Sequence, residues 1–253
     1  MSLHRKIIHL VGKKIQKVLR IFGYDIVSFS PHTRIDVRMY WINKLGIDLL
    51  LDVGANEGQF VGWMRQRGYE GSIISFEPQS SAFSLCQKRW KNDANWHGVH
   101  AALGEETGEV EMHIAGNSVS SSILPMLDSH VNALPQSAIV DKEQVKIMQL
   151  DQQISELGNN AKFIYLKIDT QGYEIPVLKG CSDHLQKVAF IELELSLVEL
   201  YDGQELLPEV LTQVQEMGFT PVWLEQGFSD AESPRMLQVD GFFVNTNMLG
   251  GNI

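Results

Sequence analysis

Four carboxylates in this chain stand at or near the ends of apolar runs: Asp52, Glu77, Asp169 and Glu194. An apolar strand that ends in an acid is costly unless water, a cation or a hydrogen-bond donor meets it. A cationic ligand, a sugar hydroxyl or a metal would each serve. Around the first acid the chain reads Leu49-Leu50-Leu51-Asp52-Val53-Gly54-Ala55-Asn56-Glu57-Gly58. That is a buried strand, a glycine turn and the start of a helix. Gly54 and Gly58 have no side chain, so main-chain N–H groups there can approach a small ligand closely. A dinucleotide site would want G-x-G-x-x-G, but Asn56 stands where the second glycine belongs. No Gly-Lys-Ser/Thr follows, so a phosphate loop fails as well. Asp52 and Glu57 beside the turn disfavour a pyrophosphate and suit a cationic, phosphate-free ligand.

The other acids extend this pattern. Ser72-Ile73-Ile74-Ser75-Phe76-Glu77-Pro78 is a second apolar run ending in an acid, and Pro78 stops it. In doubly wound sheets an acid about 20 residues beyond the glycine turn accepts hydrogen bonds from ribose hydroxyls. Ala101 and Ala102 leave room for a flat adenine ring, or are close-packing alanines. Lys167-Ile168-Asp169-Thr170-Gln171-Gly172-Tyr173-Glu174 ends a further strand. Asp169 there would face an acceptor site and is the first candidate to orient or deprotonate a hydroxyl, or is a turn-forming acid. Glu174 suits a helix's first turn. Glu194 and Asp240 could join Asp169 around the acceptor, or be solvated edge acids. Their oxygens could hold Mg²⁺, but no metal ligand is assigned. His130, in a serine-rich loop, is the second candidate base and is expected to be solvated.

Asp52-Val-Gly-Ala-Asn-Glu-Gly58, Phe76-Glu77-Pro78, Ala102-Leu103-Gly104, Leu166-Lys-Ile-Asp-Thr-Gln-Gly-Tyr-Glu174 and Val177-Leu-Lys-Gly180 follow one another at spacings that resemble the FkbM family of methyltransferases. The resemblance covers about residues 47–246. It implies a Rossmann-like class I methyltransferase fold and S-adenosylmethionine as methyl donor. The cofactor would be held by Asp52, Gly54, Asn56, Gly58, Glu77, Ala101, Ala102 and Asp169. Asp169, Glu194 and Asp240 would serve catalysis on a hydroxyl of a sugar, surface glycan or natural product. The family often carries Val-Glu where this chain has Thr170-Gln171, which removes a carboxylate near the acceptor. Rival readings are an amine or carboxylate acceptor, an inactive scaffold in a glycan-assembly complex, and a weaker case for an NAD-linked oxidoreductase.

These residues need an α/β frame to position them. The chain has 253 residues, 44% of them hydrophobic, which is enough for a full core. From residue 47 strands and helices alternate, which predicts a mostly parallel, doubly wound sheet covered on both faces. Strands are expected at 49–53, 72–77, 96–103, 109–115, 145–150, 163–169 and 188–195, then a terminal antiparallel pair at 219–224 and 237–245. Helices are expected at 59–67, at 80–91 with Ser80 or Ser81 as N-cap, from 174, and at 206–217. Residues 116–143 read as a long loop that could form a lid. The formal net charge of −10 argues against nucleic acid as a partner. Two distant cysteines, Cys86 and Cys181, argue for a reducing, cytoplasmic setting. No apolar run is long enough to span a bilayer and no signal peptide is expected. Residues 1–46 are expected to form a separate segment: a basic amphipathic helix carrying Arg5, Lys6, Lys13, Lys14, Lys17 and Arg20, a linker at 23–33, and a short helix at 34–45. The basic helix would pack on the main domain, lie on an anionic membrane surface, or dock on a partner. Oligomeric state is left open.

Overall fold

The computed structural model describes residue 15, residues 17–21 and residues 36–249. The chain divides into two compact units, 1–37 and 38–253. In the first, residues 15 and 17–21 are helical, with Ile15, Val18 and Ile21 exposed. The rest of the expected basic helix and the expected linker lie outside the described residues.

The second unit takes in all but the first residue of α1 (Val37–Leu45) and then alternates strand and helix. In order come β1 (Leu49–Val53), α2 (Gln59–Gln66), β2 (Ser72–Phe76), α3 (Ser80–Trp90), β3 (Trp96–Val99) and β4 (Ala102–Leu103). Next are β5 (Gly108–Ala115), α4 (Asp128–Ala133), β6 (Ile139–Met148) and α5 (Leu150–Leu157). The last part holds β7 (Ile164–Ile168), α6 (Glu174–Lys179), β8 (Val188–Ser196), α7 (Leu207–Glu216), β9 (Phe219–Gln226) and β10 (Gln238–Asn245).

Seven strands form one sheet in the order β3-β2-β1-β7-β8-β10-β9. Only β10 runs antiparallel to its neighbours, so the expected inserted strand is the last in the chain. Every residue of β1 and β7 is buried, as in parallel strands covered on both faces. Leu51, Val53, Leu166, Ile168 and Leu193 share one core with Ile154 of α5 and Val214 of α7. Truncating one such side chain to alanine costs about 2–5 kcal/mol. The strand order reverses between β1 and β7, and the carboxyl ends of β1, β2 and β7 open at this switch point, where ligands bind in open α/β sheets.

Gly54 shows why the switch point needs glycine. Its φ is +79°, and a Cβ there would lie 1.9 Å from the Asp169 carbonyl oxygen. Asp169 N–H in turn donates to the Val53 carbonyl at 3.0 Å. The ends of β1 and β7 therefore pass main chain against main chain.

Four expectations need correction. The expected strand at 96–103 is two strands in different sheets, because the chain turns at His100 and Ala101 N–H reaches back to the Val99 carbonyl. The expected loop at 116–143 contains α4 and the first half of β6. That half has few buried residues and shows no apolar alternation, so β5 recruits it through main-chain pairing. Leu150 does not close a strand but opens α5. Neither Ser80 nor Ser81 caps α3: the N-cap is Gln79, and the Ser80 hydroxyl bonds Glu143 instead. β4, β6 and β5 form a second, three-stranded sheet. Among the described residues no helix is long and apolar enough to cross a membrane.

Candidate active site

A cavity of about 520 Å³ opens at the switch point. Gly54, Ala55 and Asn56, in the turn after β1, form part of its wall. Glu77, just past β2, stands in the same wall and is 5% exposed. Its two oxygens accept the N–H groups of Asn56 at 2.7 Å and Gln79 at 2.8 Å. Burial pushes its carboxyl up to about 7, against those two hydrogen bonds. Ala101 and Ala102 line the wall beside Phe76 and Leu103. Ser118 closes over this end, accepting a hydrogen bond from the Asn56 side chain at 3.1 Å.

The other end of the cavity is dense in charge. Asp169, Glu192, Glu194 and Asp240 line it with Lys167 and Arg38. Lys167 Nζ lies 3.3 Å from Asp169 and 3.4 Å from Asp52. Burial works against its charge, but Asp169, Asp52 and Glu192 outweigh burial and hold it as an ammonium. Arg38 makes a two-point pair with Glu192 at 2.8 and 2.6 Å and lies 4.0 Å from Asp240. Its guanidinium also sits over the Trp63 ring, 5.1 Å from the centroid. Phe60 and Trp63 stack at 6.0 Å and complete an aromatic wall. Burial, with Glu192 and Asp169 nearby, pushes Asp240 up to about 7. Burial and the surrounding acids raise Glu194 well above an ordinary carboxyl.

The structure gathers Gly54, Asn56, Glu77, Ala101, Ala102, Asp169, Glu194 and Asp240 around one cavity. Two of the residues expected to hold the cofactor do not reach its wall. Asp52 is fully buried behind Lys167, pairing with that ammonium and accepting the Ser75 hydroxyl at 3.3 Å. Gly58 is a packing glycine: a Cβ there would sit 2.5 Å from the Trp90 indole, whose N–H donates to the Gly58 carbonyl. His130 is not a solvated loop residue. It is 2% exposed in α4, bonded through Nδ1 to Ser137 and packed on Phe228, away from the cavity. Glu174 opens α6 but does not cap it: its carboxyl accepts the N–H groups of Thr170 and Gly172 at 3.1 Å each and so holds the turn before the helix.

Sequence reasoning missed Arg38, Phe60, Trp63, Lys167 and Glu192. Lys167 left a signal, since a lysine inside a run such as Phe-Ile-Tyr-Leu-Lys-Ile must be paired if buried. Phe60 and Trp63 read as ordinary helix residues, and nothing local marks Arg38.

The donor set fits a nucleoside that carries positive charge and no phosphate. A buried carboxyl group, the glycine turn and two alanines stand at one end, and among the described residues no basic side chain stands there for a phosphate. Among the described residues no three His, Cys, Asp or Glu side chains converge as a metal site.

The sequence profile described as "Methyltransferase FkbM domain" matches residues 52–221. "Methyltransferase 1" of Beauveria bassiana is 25% identical over 182 residues, 67% of this chain and 71% of that protein. "2-O-methyltransferase NoeI" of Sinorhizobium fredii is 25% identical over 204 residues, 78% of this chain and 83% of that protein. The solved structure of magnesium protoporphyrin IX methyltransferase from Synechocystis, with bound SAM, aligns at a TM-score of 0.46 and 9% identity, covering 83% of this chain and 76% of that one.

Proposed function

The chain belongs to the FkbM family of S-adenosylmethionine-dependent methyltransferases, and from that premise we propose that it methylates a hydroxyl oxygen on a sugar of a glycan or a natural product. The observation that carries the reading is a single cavity with two chemically different ends. The first end suits the nucleoside. Glu77 would accept the ribose hydroxyls through lone pairs its two N–H partners leave free, and Ala101 and Ala102 would flank the adenine. Gly54, Ala55 and Asn56 would offer main chain to the amino-acid part. When bound, the donor supplies a methyl group on a sulfonium, which is an excellent leaving group. Much of the rate can then come from positioning.

At the other end Asp169 follows β7 beside the glycine turn. A neutral hydroxyl is a weak nucleophile, so a base must take its proton during or after attack. Asp169 is that base, held at one oxygen by Lys167. The acids Glu194 and Asp240 suit an acceptor with several hydroxyls and no negative charge. The name of NoeI, a 2-O-methyltransferase, supports an oxygen acceptor. The test is transfer of labelled methyl from S-adenosylmethionine to cell extract. A labelled methyl ether on a saccharide or natural product supports the reading; label on nitrogen or on a carboxylate contradicts it.

A further inference from the structure

Gln171 adopts a backbone conformation that few side chains tolerate, with φ +57°. Glu174 holds it there through the N–H groups on either side, those of Thr170 and Gly172. The side chain turns inward and is bonded at every polar position. Its amide nitrogen donates to Asp169 Oδ1 at 2.9 Å and to Glu194 Oε2 at 2.6 Å. Its carbonyl accepts the Tyr201 hydroxyl at 2.9 Å. A flipped amide would set its oxygen against two carboxylates, so the network admits one orientation.

Charged or titratable groups surround this amide. Asp169 and Lys167 come from the β7 end, Glu194 from β8, Asp240 from β10 and Glu174 from α6, and Tyr201 follows β8. Four carboxylates thus face one ammonium. A neutral group with two hydrogens to give lets Asp169 and Glu194 stand side by side. Gln238 assists by donating to the same Glu194 oxygen at 2.7 Å. We propose that Gln171 is a positioning residue for methyl transfer, its amide spacing and orienting Asp169 and Glu194 so that Asp169 presents an oxygen to the acceptor hydroxyl. The inference rests on Asp169 as the base. The same residue ties that base to the cavity wall, because Ser122 donates to the Gln171 main-chain carbonyl at 2.8 Å, while the Tyr201 hydroxyl also reaches the Ser120 main-chain carbonyl.

The test uses the full chain carrying Gln171→Glu, labelled S-adenosylmethionine and cell extract as acceptor pool, from about pH 5 to about pH 8. At the acid end the introduced group is neutral, still donates one hydrogen bond, and transfer stays within about threefold of the unmodified protein. At the alkaline end its charge drives Asp169 and Glu194 apart, and transfer falls about tenfold while S-adenosylhomocysteine affinity holds within about threefold. A variant-to-parent ratio that is flat with pH overturns the proposal, as does an affinity loss that matches the transfer loss.

If the unmodified protein transfers no label, the methylation reading fails by itself and melting temperature decides the inference. A buried acid that keeps its proton when folded stabilises at low pH and loses that contribution as pH rises. The melting gap between variant and parent then widens toward alkaline pH; a constant gap overturns the proposal. Should Gln171→Glu not fold, Tyr201→Phe removes the hydroxyl that orients the amide, together with its bond to the Ser120 carbonyl. It lowers transfer about threefold with homocysteine-cofactor affinity kept, and unchanged transfer overturns the proposal.

Discussion

The two ends of the cavity are built in different ways. The proposed cofactor end is drawn from short stretches of chain: the turn Gly54 to Asn56, the alanines 101 and 102 beside Phe76 and Leu103, and one buried acid, Glu77. The acceptor end is mostly long side chains drawn from α1, α2, β7, β8 and β10, and it packs Asp169, Glu192, Glu194 and Asp240 against Arg38 and Lys167. A ligand that never changes can be met by fixed main chain. A site proposed to take a proton from a neutral hydroxyl needs groups whose charge and position are set by neighbours. The difference teaches that substitutions at the two ends should separate binding from turnover.

The sharpest break comes from Asp169→Asn. Loss of a positioned base costs about a hundredfold or more in turnover. Cofactor affinity, read by titration calorimetry with S-adenosylhomocysteine, should change far less. Equal losses in both would erase the distinction between the ends. Glu77→Ala tests the opposite end. Hydrogen bonds to a charged group are worth about 1.5–3 kcal/mol, so S-adenosylhomocysteine should bind about ten- to a hundredfold more weakly while the protein still melts cooperatively.

A pH series sharpens the same point. On the proposed reading ribose hydroxyls donate to the ionised form of Glu77, whose carboxyl burial pushes up to about 7. Affinity should therefore rise as pH rises through that value and approach a tenfold change per pH unit on the acid side, about 1.4 kcal/mol. The stability of the free protein should move the other way. Glu77, Glu174 and Asp240 are all raised to about 7 by burial, so the folded state binds more protons than the unfolded one between the ordinary carboxyl range and 7. That contribution is full below the range and is lost as pH rises to 7. A melting temperature that climbs over that interval would contradict the burial of these acids. The smallest effect belongs to Arg38→Lys, which keeps the charge but loses the two-point pair with Glu192; melting should fall by about 1 kcal/mol equivalent, with cofactor affinity unchanged.

The same contrast explains what the amino-acid sequence made legible. The cofactor end lies in short contiguous stretches, where a strand, a glycine and an acid announce themselves by period and spacing. The mostly parallel, doubly wound character of the sheet follows from the same alternation; its strand order does not. Asp52 and Gly58 belong to that stretch, yet one neutralises Lys167 and the other admits Trp90, because a motif marks a place in the fold and not which atoms face the ligand. The acceptor end was legible only where its acids end strands. Arg38 lies outside the family match and reaches the cavity only because α1 packs through Trp41 on Phe190. The second sheet was half visible, since the first part of β6 is polar and takes its strand form from β5.

The central claim is that S-adenosylmethionine lies at the switch point with its ribose on Glu77 and its amino-acid part on the Gly54–Asn56 main chain. A crystal structure with S-adenosylhomocysteine tests it directly. The account predicts both ribose hydroxyls within hydrogen-bond distance of the Glu77 carboxylate and the sulfur facing Asp169. Nucleoside density elsewhere on the protein, or a ribose that leaves Glu77 untouched, would contradict it.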